Sequence, residues 1–131
     1  MNRPEFALTC AVAEYLAYAL PADVLWSHLP FGEVRPKATA GRLKAMGVNP
    51  GWPDFLILGR VSPIGTPGYG LPYVGPIFIE IKTAQGRLSK AQATWHEAAK
   101  ALGYNVHVAR SVEEVEGILR GHGLAPRARV A

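Results

Sequence analysis

From Pro4 to Leu20 the apolar residues Phe6, Ala7, Cys10, Ala11, Ala13, Leu16, Ala17 and Leu20 recur at helical spacing, with Pro4 placed for a first turn and Pro21 for a stop. Val24 to Leu29 is short, partly β-branched and bounded by Pro30, which reads as a strand. A second helix is expected between Pro36 and Gly47, with Leu43 and Met46 inward and Arg42 and Lys44 in water. Asp54 to Leu58 and Ile77 to Ile81 are short continuous apolar runs, the pattern of buried strands. Ser89 followed by Gln92 forms a capping-box pattern and opens a helix carrying Ala91, Trp95, Ala98, Ala99 and Leu102 up to Gly103. Tyr104 to Ala109 reads as another buried strand, and Ser111 with Glu114 opens a last helix that runs through Leu119 to the stop at Gly121.

The resulting order, αβαββαβα, defines an α/β fold. The helix between Ile81 and Tyr104 serves as a crossover, which brings the last strand beside its neighbour in parallel. A mixed sheet flanked by helices follows, in one domain over residues 1–121 with a flexible tail over 122–131. Between the two central strands, residues 59–76 carry five glycines and four prolines, too many breakers for a regular element. This long loop is either a flap that contacts substrate or a tolerated insertion.

With 131 residues, 49% hydrophobic and 18% charged, the chain has the composition of one globular domain. Its formal charge of +4 suits a polyanionic partner and equally an ordinary basic protein, so the position of the charge has to decide. The single cysteine, Cys10, can form no intramolecular disulfide and is expected in the core. Arg3, Pro4 and Glu5 at the start, and Glu14 within the apolar stretch, give neither a signal peptide nor a membrane span, so a cytoplasmic location is expected. No nucleotide cofactor is expected, because Gly65 to Gly75 lacks the Gly-Lys-Ser/Thr ending of a phosphate loop. His28, His96, His107 and His122 show no zinc-ligand spacing.

The chemistry concentrates in Ile77-Phe78-Ile79-Glu80-Ile81-Lys82, where strand alternation puts Glu80 and Lys82 on one face and Ile79 and Ile81 on the other. Charges at the end of an apolar strand need compensation. A structural ion pair between Glu80 and Lys82 would supply it. So would a metal site, if the strands pair and Asp54 brings a second carboxylate. Two carboxylates at a sheet edge form an all-oxygen site for a hard cation such as Mg²⁺, which accepts phosphate oxygens. Lys82 could then orient a nucleophile or offset charge building on phosphorus.

Gly51-Trp52-Pro53-Asp54, an apolar strand, a loop and Glu80-Ile81-Lys82 closely resemble the PD-(D/E)XK nuclease motif. More specifically, the chain resembles a stand-alone VRR-NUC domain of the phage and bacterial type, from about Glu5 to Leu119. Its further landmarks are Gly32 to Arg35, Arg42-Leu43-Lys44 with Gly47, Gly86-Arg87-Leu88-Ser89 with Gln92 and Trp95, and Gly103. The resemblance implies a restriction-endonuclease-like core and hydrolysis of DNA phosphodiester bonds with Mg²⁺ or Mn²⁺. It implies metal ligation by Asp54, Glu80 and the backbone carbonyl of Ile81, with Lys82 as the catalytic lysine. Glu5 matches the family's first-helix acid, acting on the metal or its waters, with Glu14 as competitor, and Gln92 matches the glutamine after the lysine strand. Branched DNA, of Holliday-junction or flap type, and a homodimer are implied by analogy. The chain departs from the family pattern at Thr9, where many relatives have glutamine, and at Leu29-Pro30-Phe31-Gly32-Glu33, which replaces a Pro-Asn-Gly-Gly stretch.

Arg35, Lys37, Arg42 and Lys44 precede the Asp54 strand, and Arg87 and Lys90 follow the lysine strand near a helix start. They form either a DNA phosphate track flanking the site or a solvated basic face. Trp52 either packs beneath the active-site turn or stacks on an unpaired base.

Overall fold

The computed structural model describes residues 2–32, 36–60 and 75–124. The elements are α1 (Arg3–Ala19), β1 (Leu25–His28), a 3₁₀ turn (Pro30–Gly32), α2 (Lys37–Ala45), β2 (Phe55–Leu58), β3 (Pro76–Ile81), α3 (Lys90–Ala101), β4 (Asn105–Ala109) and α4 (Val112–Gly121). The strands form one mixed sheet in the order β1-β2-β3-β4. β1 and β3 run antiparallel to β2, whereas β4 is parallel to β3 after the α3 crossover. Residues 61–74, which hold most of the expected loop, lie outside the described residues, as do Arg35 and residues 125–131.

α1 and α4 cover one face of the sheet. There Val12 and Leu16 meet Val115 and Leu119 over Phe55, Ile57, Ile77, Ile79 and Ile81, all fully buried. α3 covers the other face, where Ala99 and Trp95 pack on Phe78 and Val106. β3 is therefore buried on both faces, as expected of a strand in the middle of a layered α/β sheet.

Two expectations about burial are corrected. The inward stripe of α1 is Thr9, Val12, Leu16 and Ala19, whereas Cys10 and Phe6 are exposed. The helix is apolar on more than one side, and the 3-4-3 spaced stripe from Thr9 to Ala19, rather than Phe6 and Cys10, faces the sheet. Thr9 is accommodated in that stripe because its hydroxyl donates to the Glu5 carbonyl at 2.8 Å. α2 buries nothing; Leu43 is half-buried, but Met46 is 79% exposed because it caps a helix that covers no strand. Leu102 is also exposed, since α3 ends at Ala101 and leaves it at the C-cap.

The predicted caps are present. Ser89 accepts from the Gln92 amide at 3.1 Å while Gln92 accepts from the Ser89 amide at 2.8 Å. The Ser111 side chain likewise accepts from the Glu114 amide at 3.1 Å. No helix among the described residues is long and apolar enough to cross a membrane.

Candidate active site

β3 delivers its residues to two environments. Ile77, Ile79 and Ile81 enter the α1–α4 core, while Glu80 points to the opposite face at 1% exposure. In the antiparallel register Phe55 faces Ile79, so Asp54, one step before β2, comes across from Glu80. Two bonds hold Asp54 there. Its carboxylate accepts from the Ile81 amide at 2.7 Å, and its carbonyl accepts from the Leu29 amide at 2.6 Å. The turn before it depends on Gly51, whose φ of +91° is left-handed and whose missing side chain lets it lie against the first turn of α3. A Cβ there would stand 2.4 Å from the Ala91 carbonyl oxygen.

The first turn of α1 contributes Glu5. Oxygens of Glu5, Asp54 and Glu80 all lie within 4.8 Å of one another. Glu14, further along α1, is exposed and outside this group. Lys82 Nζ lies 3.6 Å from Glu5 Oε1, with both side chains largely buried. The lysine thus pairs across elements with α1, and no Glu80–Lys82 strand-end ion pair is formed.

Glu80 is the anomaly of the group. Its Oε1 is buried with no hydrogen-bonding partner. Burial holds its carboxyl well above the usual carboxylate range; the Asp54 carboxylate pushes it further up and Lys82 partly offsets the shift. An orphaned buried oxygen is costly. A divalent cation would satisfy it, and the all-oxygen donor set fits a hard one.

The cluster opens into a cavity of roughly 410 Å³ that is also bordered by His28, Trp52, Arg87 and Gln92. Gln92 reaches the cavity with its carbonyl oxygen already committed to the Ser89 amide. Arg87 is exposed at the rim and Lys90 is exposed at the start of α3. Lys37, Arg42 and Lys44 are exposed on α2, and Lys44 borders an adjoining cleft that shares Phe31 and Pro50 with the cavity. Trp52 packs, with its ring centroid 5.0 Å from Trp95, 6.1 Å from Phe31 and 6.2 Å from Phe78.

No sequence pattern marks His28 as part of the site. It sits at the end of β1 beside the Leu29–Asp54 bond and lines the cavity, its Nδ1 buried without a partner. Only the pairing of β1 with β2 brings it there, so no spacing along the chain could signal it.

The chain is similar to a solved structure described as a VRR_NUC domain protein, with a TM-score of 0.63 over 95% of this chain and 93% of that one, at 20% identity. No family profile matches the sequence, and no curated protein matches it. A likeness at this identity establishes the fold: the mixed sheet with its flanking helices has the α/β fold of that VRR_NUC domain protein, matching a restriction-endonuclease-like core.

Proposed function

We propose that this protein is a DNA nuclease that hydrolyses phosphodiester bonds with Mg²⁺ or Mn²⁺ at the Glu5–Asp54–Glu80–Lys82 cluster. The observation that carries the reading is the orphaned, buried oxygen of Glu80 facing two further carboxylates beside a largely buried lysine. Asp54 and Glu80 would hold the cation together with the backbone carbonyl of Ile81, and Glu5 would act on it directly or through its waters. When bound, the cation supplies positive charge to the phosphoryl group and lowers the pKa of water.

The chain's own residues account for the rest. Without a cation, and with Glu80 protonated, the Glu5 and Asp54 carboxylates still outweigh the single Lys82 charge and would repel a phosphodiester, so a cation would favour substrate binding. Lys82 is held by Glu5 rather than by Asp54 or Glu80, which leaves its ammonium able to orient the attacking water or offset charge on the phosphoryl oxygens. Gln92 borders the cavity and would steady substrate or water with its amide. Arg87 and Lys90 would meet the flanking phosphates, with Lys37, Arg42, Lys44 and Arg35 extending the track along and before α2.

A branched or flap-like DNA and action as a homodimer rest on the family resemblance. A non-cutting DNA-binding module is the rival, and the full set of Asp54, Glu80 and Lys82 argues against it. The test is a time course on end-labelled duplex, flap and four-way-junction DNA with Mg²⁺ or Mn²⁺, using wild type and Lys82→Ala. Metal-dependent cleavage that is lost in the variant is expected, with the branched substrates cut fastest. Folded protein that binds DNA and cuts none of the three would favour the rival.

A further inference from the structure

On the edge of the sheet bearing β4, two histidines meet that are 15 positions apart in the chain. His107 Nε2 on β4 lies 2.7 Å from His122 Nε2 at the C-cap of α4. The ring centroids are 4.9 Å apart and the planes cross at 71°, so the two nitrogens point at each other from nearly perpendicular rings. The pair borders an open cleft whose floor includes Gly117 and Gly121 on α4, and a Cβ at either glycine would meet nothing within 4 Å. Neither histidine belongs to the cavity that holds Asp54 and Glu80.

We propose that His107 and His122 form a second metal site, one that takes a borderline transition-metal ion such as Cu²⁺, Ni²⁺ or Zn²⁺ and is separate from the carboxylate cluster. Two neutral imidazoles can share a single proton at this distance, one donating and one accepting. Burial, followed by the charges of His122 and Lys100, lowers the pKa of His107, which favours the neutral ring that a metal needs. Replacing the shared proton by a metal requires each ring to turn by roughly 30–45°, so that both lone pairs meet at an ion beside the line between the nitrogens. With metal–nitrogen bonds of about 2.0–2.1 Å, two ligands in adjacent square-planar positions sit about 2.9 Å apart, and tetrahedral ones about 3.3 Å. The observed separation is nearer the square-planar value, so Cu²⁺ and Ni²⁺ require the two nitrogens to move apart less than Zn²⁺ does, in keeping with the general order of affinities.

The open cleft leaves the remaining coordination positions to water, and Glu114, whose carboxylate accepts from the Arg110 amide, lies at its rim. The donor types also separate the two sites. An imidazole pair selects against Mg²⁺, whereas the carboxylate cluster prefers it. Such an ion would tie the end of α4 to β4.

The experiment is titration of Cu²⁺ and Ni²⁺ into the untagged full chain, stripped of metal, with wild type, His122→Ala, His107→Gln and Glu80→Gln compared by calorimetry and by Cu²⁺ electron paramagnetic resonance. The proposal expects one site with a two-nitrogen signature, weakened at least about tenfold in either histidine variant and kept in Glu80→Gln. Circular dichroism and melting temperature verify that the variants fold. His122→Ala, at a helix C-cap, serves as the readout if His107→Gln does not fold. An absence of Cu²⁺ and Ni²⁺ binding would overturn the proposal, leaving the pair as a hydrogen bond only. So would a nitrogen signature unchanged in folded His122→Ala, or loss of binding in Glu80→Gln alone.

Discussion

Replacing Gly51 by alanine tests how the Asp54 turn is anchored. Two separate penalties are expected. The first is conformational, because φ is +91° and an L side chain there costs about 1 kcal/mol or somewhat more. The second is steric. The new Cβ would stand 2.4 Å from the Ala91 carbonyl oxygen, 2.8 Å from its carbon and 3.2 Å from Trp95 Cβ. That first distance lies roughly 1 Å inside ordinary contact, and the obstacle is helix backbone that cannot rotate away. Overpacking of this kind costs about 1–3 kcal/mol, for a total of about 2–4 kcal/mol. Gly103 supplies the control, since its φ is +95° and a Cβ there would meet nothing within 4 Å; Gly103→Ala should lose only the conformational part, about 1 kcal/mol. Urea unfolding in EDTA reads both, and the slope of the transition should stay constant. Gly51→Ala should also weaken Mn²⁺ binding, because the displaced turn carries Asp54, whereas Gly103→Ala should not. Equal stability losses in the two variants would refute the idea that the turn is seated by its close approach to α3.

Two further outcomes follow from the site and its supports. Glu80 is protonated more readily in the fold than in the unfolded chain, so its contribution is fully present below its ordinary pKa and is lost as pH rises toward the elevated folded one. Metal-free wild type should therefore lose stability between pH 7 and pH 9, by at most about 1.4 kcal/mol per unit, and Glu80→Gln should flatten that slope in denaturant titrations. Ser89→Ala removes one half of the capping box and should cost about 1 kcal/mol, read as a lower melting temperature, with a smaller loss for Ser89→Gly.

Much of this arrangement is legible in the sequence because the relevant signals are local. The capping box at Ser89, the glycine stops and the two apolar runs with Asp54 before one and Glu80 within the other each follow from spacing over a few residues. The αβαββαβα order and the parallel β3–β4 pair follow from them. Burial in the helices is less legible. α1 offers apolar residues on several sides, and the sheet beneath selects one of them, so periodicity alone puts Cys10 in the core and passes over Thr9. The pattern of α2 suggests an inward Leu43 and Met46, yet nothing covers that helix fully. His28 in the cavity and the His107–His122 contact depend on strand register and on the path of α4, and pairings over such distances leave no periodic trace. The choice between Glu5 and Glu14 likewise depends on which end of α1 meets β3; as geometry that end belongs to Glu5.

The central claim is that the carboxylate cluster takes up a divalent cation in exchange for the proton on Glu80. Calorimetric titration of Mn²⁺ at pH 8, in two buffers that differ in ionisation heat, measures both quantities at once for wild type and Glu80→Gln. Wild type is predicted to bind with proton release, and the variant to bind at least about tenfold more weakly with the release abolished. Wild type that takes up no Mn²⁺, or a variant that binds it as tightly and with the same proton release, would contradict the claim.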